Sequence, residues 1–322
     1  MSLPVYIFKR MLQALPLLFV ISVLAFTMLM ISPVDPLATM KANPSVSAAA
    51  IKAEEERLGL NKPAPERYAI WLANTLQGNL GMSSTGGSIA HRLFTCAGNT
   101  LLLNVFTFTF VWLIALPAGV YAAVHRGKFI DKLFGIITST GMSMPTFLMC
   151  FLLLMLALAT GILPIGGMTS PNFDDMDKLH QMLDIGHHLI MPVCVLTFIQ
   201  LAGIQRQVRS NLLDVLRADY VRTARAKGVD ETRVIYKHAL RNAVNPLITL
   251  LGFEFASLLS GAAITEMVLG YPGLGFLTLG AVLTKDINLV MASLMMGASM
   301  LILGNLLADV LLKITDPRIS ID

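Results

Sequence analysis

Residues 219–245 read DYVRTARAKGVDETRVIYKHALRNAVN, and the rest of the chain is best read outward from them. Six basic residues stand here: Arg222, Arg225, Lys227, Arg233, Lys237 and Arg241. A Lys or Arg at the centre of a membrane helix costs about 2.5–3.5 kcal/mol, so the stretch cannot cross a bilayer. Its pattern is helix, break, helix. ADYVRTARAK consists of good helix formers, and Gly228 is placed to end that helix. Asp230 or Thr232 can cap the next one, and Pro246 falls where a missing N–H does least harm. Ala218, Thr223, Ala224 and Ala226 are short enough to let the first helix lie close to another surface.

The chain around this stretch is apolar. It has 322 residues, of which 55% are hydrophobic and 14% charged, with a mean hydropathy of +0.69. Soluble domains carry about 25% charged residues, so a membrane protein is the first expectation. The net charge of +4 is too small to argue for nucleic acid. Cys96, Cys150 and Cys194 are odd in number and lack C-x-x-C spacing, so neither a disulfide framework nor a zinc site is suggested. A spanning helix needs about 20 apolar residues. Runs at 11–31, 101–124, 133–173, 185–205, 243–265 and 287–308 meet that need. The third is too long for one helix, and GILPIGG at 161–167 predicts its end near Thr160. Pro117 and Pro145 predict kinks. The first run is longer than the 7–15 residues of a signal-peptide core, so it is expected to remain as a helix.

Basic residues set the orientation. Lys9, Arg10, Arg126, Lys128, Lys132, Arg206, Arg209, Arg217, the opening stretch, Lys313 and Arg318 all fall in alternate connections. The other short connections hold Asp174, Asp175, Asp177 and Asp184 against Lys178, and Lys285 beside Asp286. The positive-inside rule then predicts both termini in the cytoplasm. The expected divisions are 1–32 (cytoplasmic start and first helix), 33–99 (external), 100–312 (five-helix core, with the basic segment at 211–242) and 313–322 (cytoplasmic tail). Two short helices are expected outside. One is capped by Ser45 or Ser47 and stopped by Gly59; the other has Pro65 early and Gly78 at its end. Together they form a small cap, either a docking surface or packing over helix ends.

RTARAKG followed after nine residues by HALRNAVNP resembles the cytoplasmic coupling loop of binding-protein-dependent ABC importers, in the form found in the peptide/nickel permease family. The general motif is Glu-Ala-Ala, three residues, Gly, nine residues, Ile-x-Leu-Pro. Aligned on Gly228, Arg222, Thr223 and Ala224 take the first three positions, and His238, Leu240 and Arg241 replace Ile, Leu and Pro. SPVDP at 32–36, GNLG at 78–81, LPAG at 116–119, SMPTF at 143–147, HLIMP at 188–192, ITEMVLGYPGLG at 264–275 and the closing NLLADVLLKITDPRI match in order. The resemblance implies an all-α, six-helix permease of the type I importer fold in a bacterial inner membrane. Its coupling helix would lie between the fourth and fifth spans. Asp219, Arg222, Thr223, Ala224, Arg225, Ala226, Lys227 and Gly228 would dock on an ATP-hydrolysing subunit. Implied partners are a homologous second permease, two ATPase subunits, an external solute-binding protein and the lipid bilayer. The implied cargo is a short peptide, or alternatively nickel or a metal chelate. A stand-alone secondary transporter would account for six spans but not for the coupling stretch.

The chain lacks G-x-x-x-x-G-K-[ST]: near RGKF at 126–129, Ala122 stands at the first Gly position and Phe129 replaces Ser/Thr. It is therefore not expected to hydrolyse ATP, and ATP and Mg belong to the partner subunits. No H-E-x-x-H or G-x-S-x-G occurs, so no catalytic residue is assigned. His180, His187 and His188 share an external loop with four Asp, but their spacing fits no fixed metal-ligand pattern. Glu254 lies near the middle of the fifth run. An intramembrane carboxylate is costly and points to function. It either lines the translocation path, together with Ser143 and Pro145, or bonds a polar group such as Gln200 on another helix. Asp309 is expected to pair with Lys313 one turn on.

Overall fold

The computed structural model describes residues 3–31, 37–57, 59–84, 86–244, 246–247 and 262–315. Among them the chain is helical, with a single β-bridge between Met82 and Ser88 and no strand. α1 spans Leu3–Ile31, and its apolar side chains, among them Phe8, Leu12, Leu15, Phe19 and Met28, are exposed. In a bilayer that band meets lipid, where apolar exposure costs nothing. α2 (Ala38–Lys41), α3 (Ala48–Arg57) and α4 (Ala64–Leu76) follow in the segment predicted to be external. Ser47 Oγ accepts from Ala50 N at 3.2 Å at the start of α3, and Gly59 (φ 62°) and Gly78 (φ 77°) lie beyond the helix ends, as their turn chemistry predicts.

α5 (Ile89–Val124) begins well ahead of the second apolar run and of residue 100. Its first turns are polar, but Ile89, Leu93 and Ala97 are buried, so packing extends the helix past the run that hydropathy detects. α8 (Lys178–Leu216) likewise outgrows the fourth run at both ends. α5 and α8 pack along each other. A Cβ at Gly119 would come within 2.6 Å of Val208 and 2.9 Å of Gln205 O, so only glycine permits this approach.

The third run is a broken element. α6 (Phe129–Ser143) and α7 (Thr146–Thr160) meet at 105°. Proline disfavours helical geometry at the residue before it. Met144, ahead of Pro145, is extended (φ −85°, ψ 123°), and the expected kink is a full break. Gly161 (φ 65°) ends α7 directly after Thr160, as predicted. Each piece is about 22 Å long, short of a bilayer crossing on its own.

Among the described residues four helices are long and apolar enough to cross a membrane, or five if the bent pair counts as one. The fourth long one is α14 (Ile287–Thr315). Most of the predicted fifth run, including Glu254, lies outside the described residues. α14 is joined to α1 by a polar knot: Tyr6 OH donates to Asp309 Oδ2 at 2.9 Å, Arg10 Nη2 reaches the same oxygen at 2.8 Å, and Arg10 Nε donates to Tyr6 OH at 2.8 Å. Asp309 thus bonds across the helix pair, while the side chain of Lys313, its expected partner, lies outside the described residues.

Candidate functional site

The basic stretch folds as a short hairpin at one end of α8. Arg217 ends α8, and α9 (Asp219–Ala226) begins at once. Gly228 occupies the position after the C-cap Lys227, with φ 76°, and its N–H donates to Arg225 O at 2.9 Å. Val229 N closes the turn onto Ala224 O at 3.2 Å. Asp230 then caps α10 (Glu231–Arg233), accepting from Thr232 N and Arg233 N. The backbone next passes through a π-helical turn, Val234–Ala239, into α11 (Leu240–Ala243).

One apolar cluster fastens the hairpin to the long helices. Val221 of α9 and Val234, Ile235 and Ala239 of the π turn pack with Val208 and Leu212 of α8 and with Val111, Ala115 and Val120 of α5. Val221 is fully buried. Asn242 Nδ2 donates to Tyr220 OH at 3.0 Å and ties α11 back to α9. At the same end, Arg209 of α8 forks onto Asp131 of α6 at 2.6 and 2.8 Å, and Asp131 also accepts from Gly127 N at 2.9 Å.

The exposed face of α9 carries Asp219, Arg222, Thr223, Arg225, Ala226 and Lys227, with Gly228 beside them. Arg222 Nη1 lies 3.6 Å from Asp219, and Thr223 Oγ1 donates to Asp219 O. One expectation needs correction. Ala224 packs inward against the apolar cluster instead of facing outward, because it follows Val221 by three residues on the same helix face. Arg225 is paired within the hairpin. It forks onto Glu231 at 3.0 and 2.6 Å and approaches Leu216 O at 3.5 Å. Hydrogen bonding from Arg225 holds the Glu231 carboxyl below its usual range and raises the guanidinium above its own.

Ser143 and Pro145 come together at the α6–α7 break, both exposed, with Ser143 Oγ donating to Ser139 O. The three histidines do not gather: His180 bonds Asp177, His187 Nε2 contacts Ile162 O at 2.8 Å, and His188 Nδ1 contacts Asp184 O at 2.9 Å.

Sequence reasoning missed a different carboxylate. Glu266, on α12 (Ala263–Val268), is 0% exposed. Its Oε2 accepts from Gly275 N at 2.8 Å and Phe276 N at 3.1 Å, and its Oε1 accepts from Thr100 Oγ1 at 2.7 Å. Thr100 Oγ1 in turn accepts from Leu274 N at 2.7 Å. All three first amides of α13 (Leu274–Leu283), orphans in any helix, are thereby satisfied. Tyr271 OH donates to Asn99 O, and Asn99 Nδ2 donates to Pro272 O, so the YPG loop is bonded to α5 as well. A Cβ on Gly273 would fall 2.2 Å from the Glu266 carboxyl, and one on Gly275 2.5 Å from Ala263. The signal was in TEMVLGYPGLG: an acid just upstream of two glycines flanking a helix start.

Residues 115–321 match the family described as binding-protein-dependent transport system inner membrane component, and residues 3–88 match its N-terminal counterpart. The chain is 37% identical to an oligopeptide transport system permease protein of Bacillus subtilis over 320 residues, 98% of this chain and 99% of the relative. It is 35% identical to a di/tripeptide transport system permease protein of Pseudomonas aeruginosa, with 98% of each covered. It is 34% identical to a glutathione transport system permease protein of Escherichia coli, again with 98% of each covered. With both regions matched and relatives aligned almost end to end, the chain belongs to the family of binding-protein-dependent transport system inner membrane components.

Proposed function

We propose that this chain is one permease subunit of an ATP-driven importer of short peptides, forming half of the translocation path. The names of its relatives favour peptides over nickel. The observation that carries the mechanism is the α9 hairpin: an exposed, mixed-charge helix ended by Gly228 and fastened through Val221 to α5 and α8. In this reading α9 sits in a cleft of an ATP-hydrolysing subunit on the cytoplasmic side. Closure of two such subunits pushes α9, and the apolar cluster passes the displacement to α5 and α8. A loop without that cluster would absorb the push. The Arg209–Asp131 fork carries the same displacement to α6.

The assembly would hold a homologous second permease, two ATPase subunits and an external solute-binding protein, with six spans in this chain and both termini in the cytoplasm. The test is reconstitution of the full complex in proteoliposomes. ATP-dependent uptake of tri-alanine that needs the solute-binding protein is expected. Uptake by this chain alone under an ion gradient would overturn the proposal.

A further inference from the structure

At the opposite end of α5 from the hairpin, α1, α3, α4 and the turn before α14 enclose a cavity of about 620 Å³. Small-molecule sites run to about 300–1,000 Å³, so it suits a short peptide and not a folded domain. Phe26 and Trp71 give it an apolar side, and Asn74 adds an amide. Its charges are unevenly matched. Asp286 is already saturated, accepting from Ser83 Oγ and Ser84 N at 2.7 Å and from Leu289 N at 3.0 Å. Lys62 is paired with Glu66 at 3.0 Å. Arg67 differs: among the described residues its guanidinium donates to Met30 Sδ at 3.3 Å, and no carboxylate is paired with it. A thioether is a weak acceptor. Burial also lowers the Arg67 pKa, with no acid to offset the effect. A half-buried cation left this way is stabilised by an incoming anion, and its planar fork favours a carboxylate.

We infer that this external cavity accepts the terminal carboxylate of a short peptide, with Arg67 as its ligand, Trp71 against the side chains, and Glu56 on α3 supplying charge for the amino end. The inference rests on the peptide reading above. A carboxylate could also come from an acidic side chain of the solute-binding protein, and the experiment separates the two.

The full permease–ATPase complex in nanodiscs is titrated with tri-alanine, with tri-alanine amide and with ligand-free solute-binding protein, following tryptophan fluorescence. Trp71→Phe identifies the Trp71 signal. A saturable response to tri-alanine is expected, at least about tenfold weaker for the amide, which lacks the charge-assisted bonds. Arg67→Gln abolishes it and Arg67→Lys restores part of it. An equal response to acid and amide, or an unchanged response in Arg67→Gln, overturns the inference. So does a response to the solute-binding protein alone. If Arg67→Gln fails to assemble with the ATPase, the acid–amide comparison on the unsubstituted complex decides. Uptake of tri-alanine by a complex with no Trp71 response removes this site and spares the importer. Absence of uptake by an assembled complex removes the peptide reading itself.

Discussion

Single residues carry three kinds of constraint here. Gly228 is conformational: its φ of 76° strains any residue with a Cβ, by about 1–2 kcal/mol, and a β-branched one most. Among the described residues, and apart from its two chain neighbours, no atom lies within 4 Å of the Cβ it lacks, so crowding inside the hairpin is not the issue. Gly228→Val should therefore leave the membrane helices inserted while lowering ATPase co-purification and peptide-stimulated ATP hydrolysis. Wild-type values for both would remove α9 from the coupling role. Arg225 and Glu231 are electrostatic. The folded Glu231 carboxyl sits below the unfolded value of about 4.3, so the pair's stabilisation is complete above that value. It is lost as pH falls through the lowered folded value. Exposed pairs of this kind contribute about 0.2–1 kcal/mol and are screened by salt. The protection of amides across 219–239, taken relative to their intrinsic exchange rates, should hold at neutral pH and fall as acid protonates Glu231, and Glu231→Gln should remove that pH dependence. Glu266 is a matter of satisfaction. Glu266→Ala leaves two amides and a hydroxyl without partners, at about 1–3 kcal/mol each when buried. A lower melting temperature of the complex is expected, and Gly273→Ala should do less further harm in that background than alone.

Elements were legible where local chemistry decides them. Gly59, Gly78, Gly161, Asp230 and Gly228 each mark an end that the structure confirms, because turn conformations and caps depend on neighbours in sequence. Long-range packing was not legible. The polar first turns of α5 are helical because Ile89 and Leu93 pack on Leu274, Leu277 and Leu289, which no window of hydropathy contains. The inward face of Ala224 and the Arg225–Glu231 fork were hidden for the same reason: each depends on how the hairpin closes. The element-scale prediction concerns the fork between α6 and α8. A bidentate Arg–carboxylate pair is specific in geometry as well as charge. Arg209→Lys should weaken coupling between ATP hydrolysis and uptake, and Asp131→Ala should weaken it further by also stripping the acceptor from Gly127 N. Equal coupling ratios in all three proteins would show that α6 moves independently of α8.

Among the described residues, apolar helices join two polar ends, and the positive-inside rule predicts which end faces the cytoplasm. In a cysteine-free background, Asp175→Cys should react with an impermeant thiol reagent from outside, and Lys227→Cys only after permeabilisation. The reverse pattern would invert the topology. Between the hairpin and the predicted fifth span lies the π-helical turn at Val234–Ala239, which holds one more residue than an α-helical turn would. Such a turn sets phase. An α-helix advances about 100° per residue, so winding these same six residues as α-helix, with none deleted, would turn the described residues that follow by about that angle about the helix axis. Leu247, now buried in the apolar cluster, would swing out of it without itself being mutated. The extra residue thus works like a vernier between the hairpin and the helical turn that follows it.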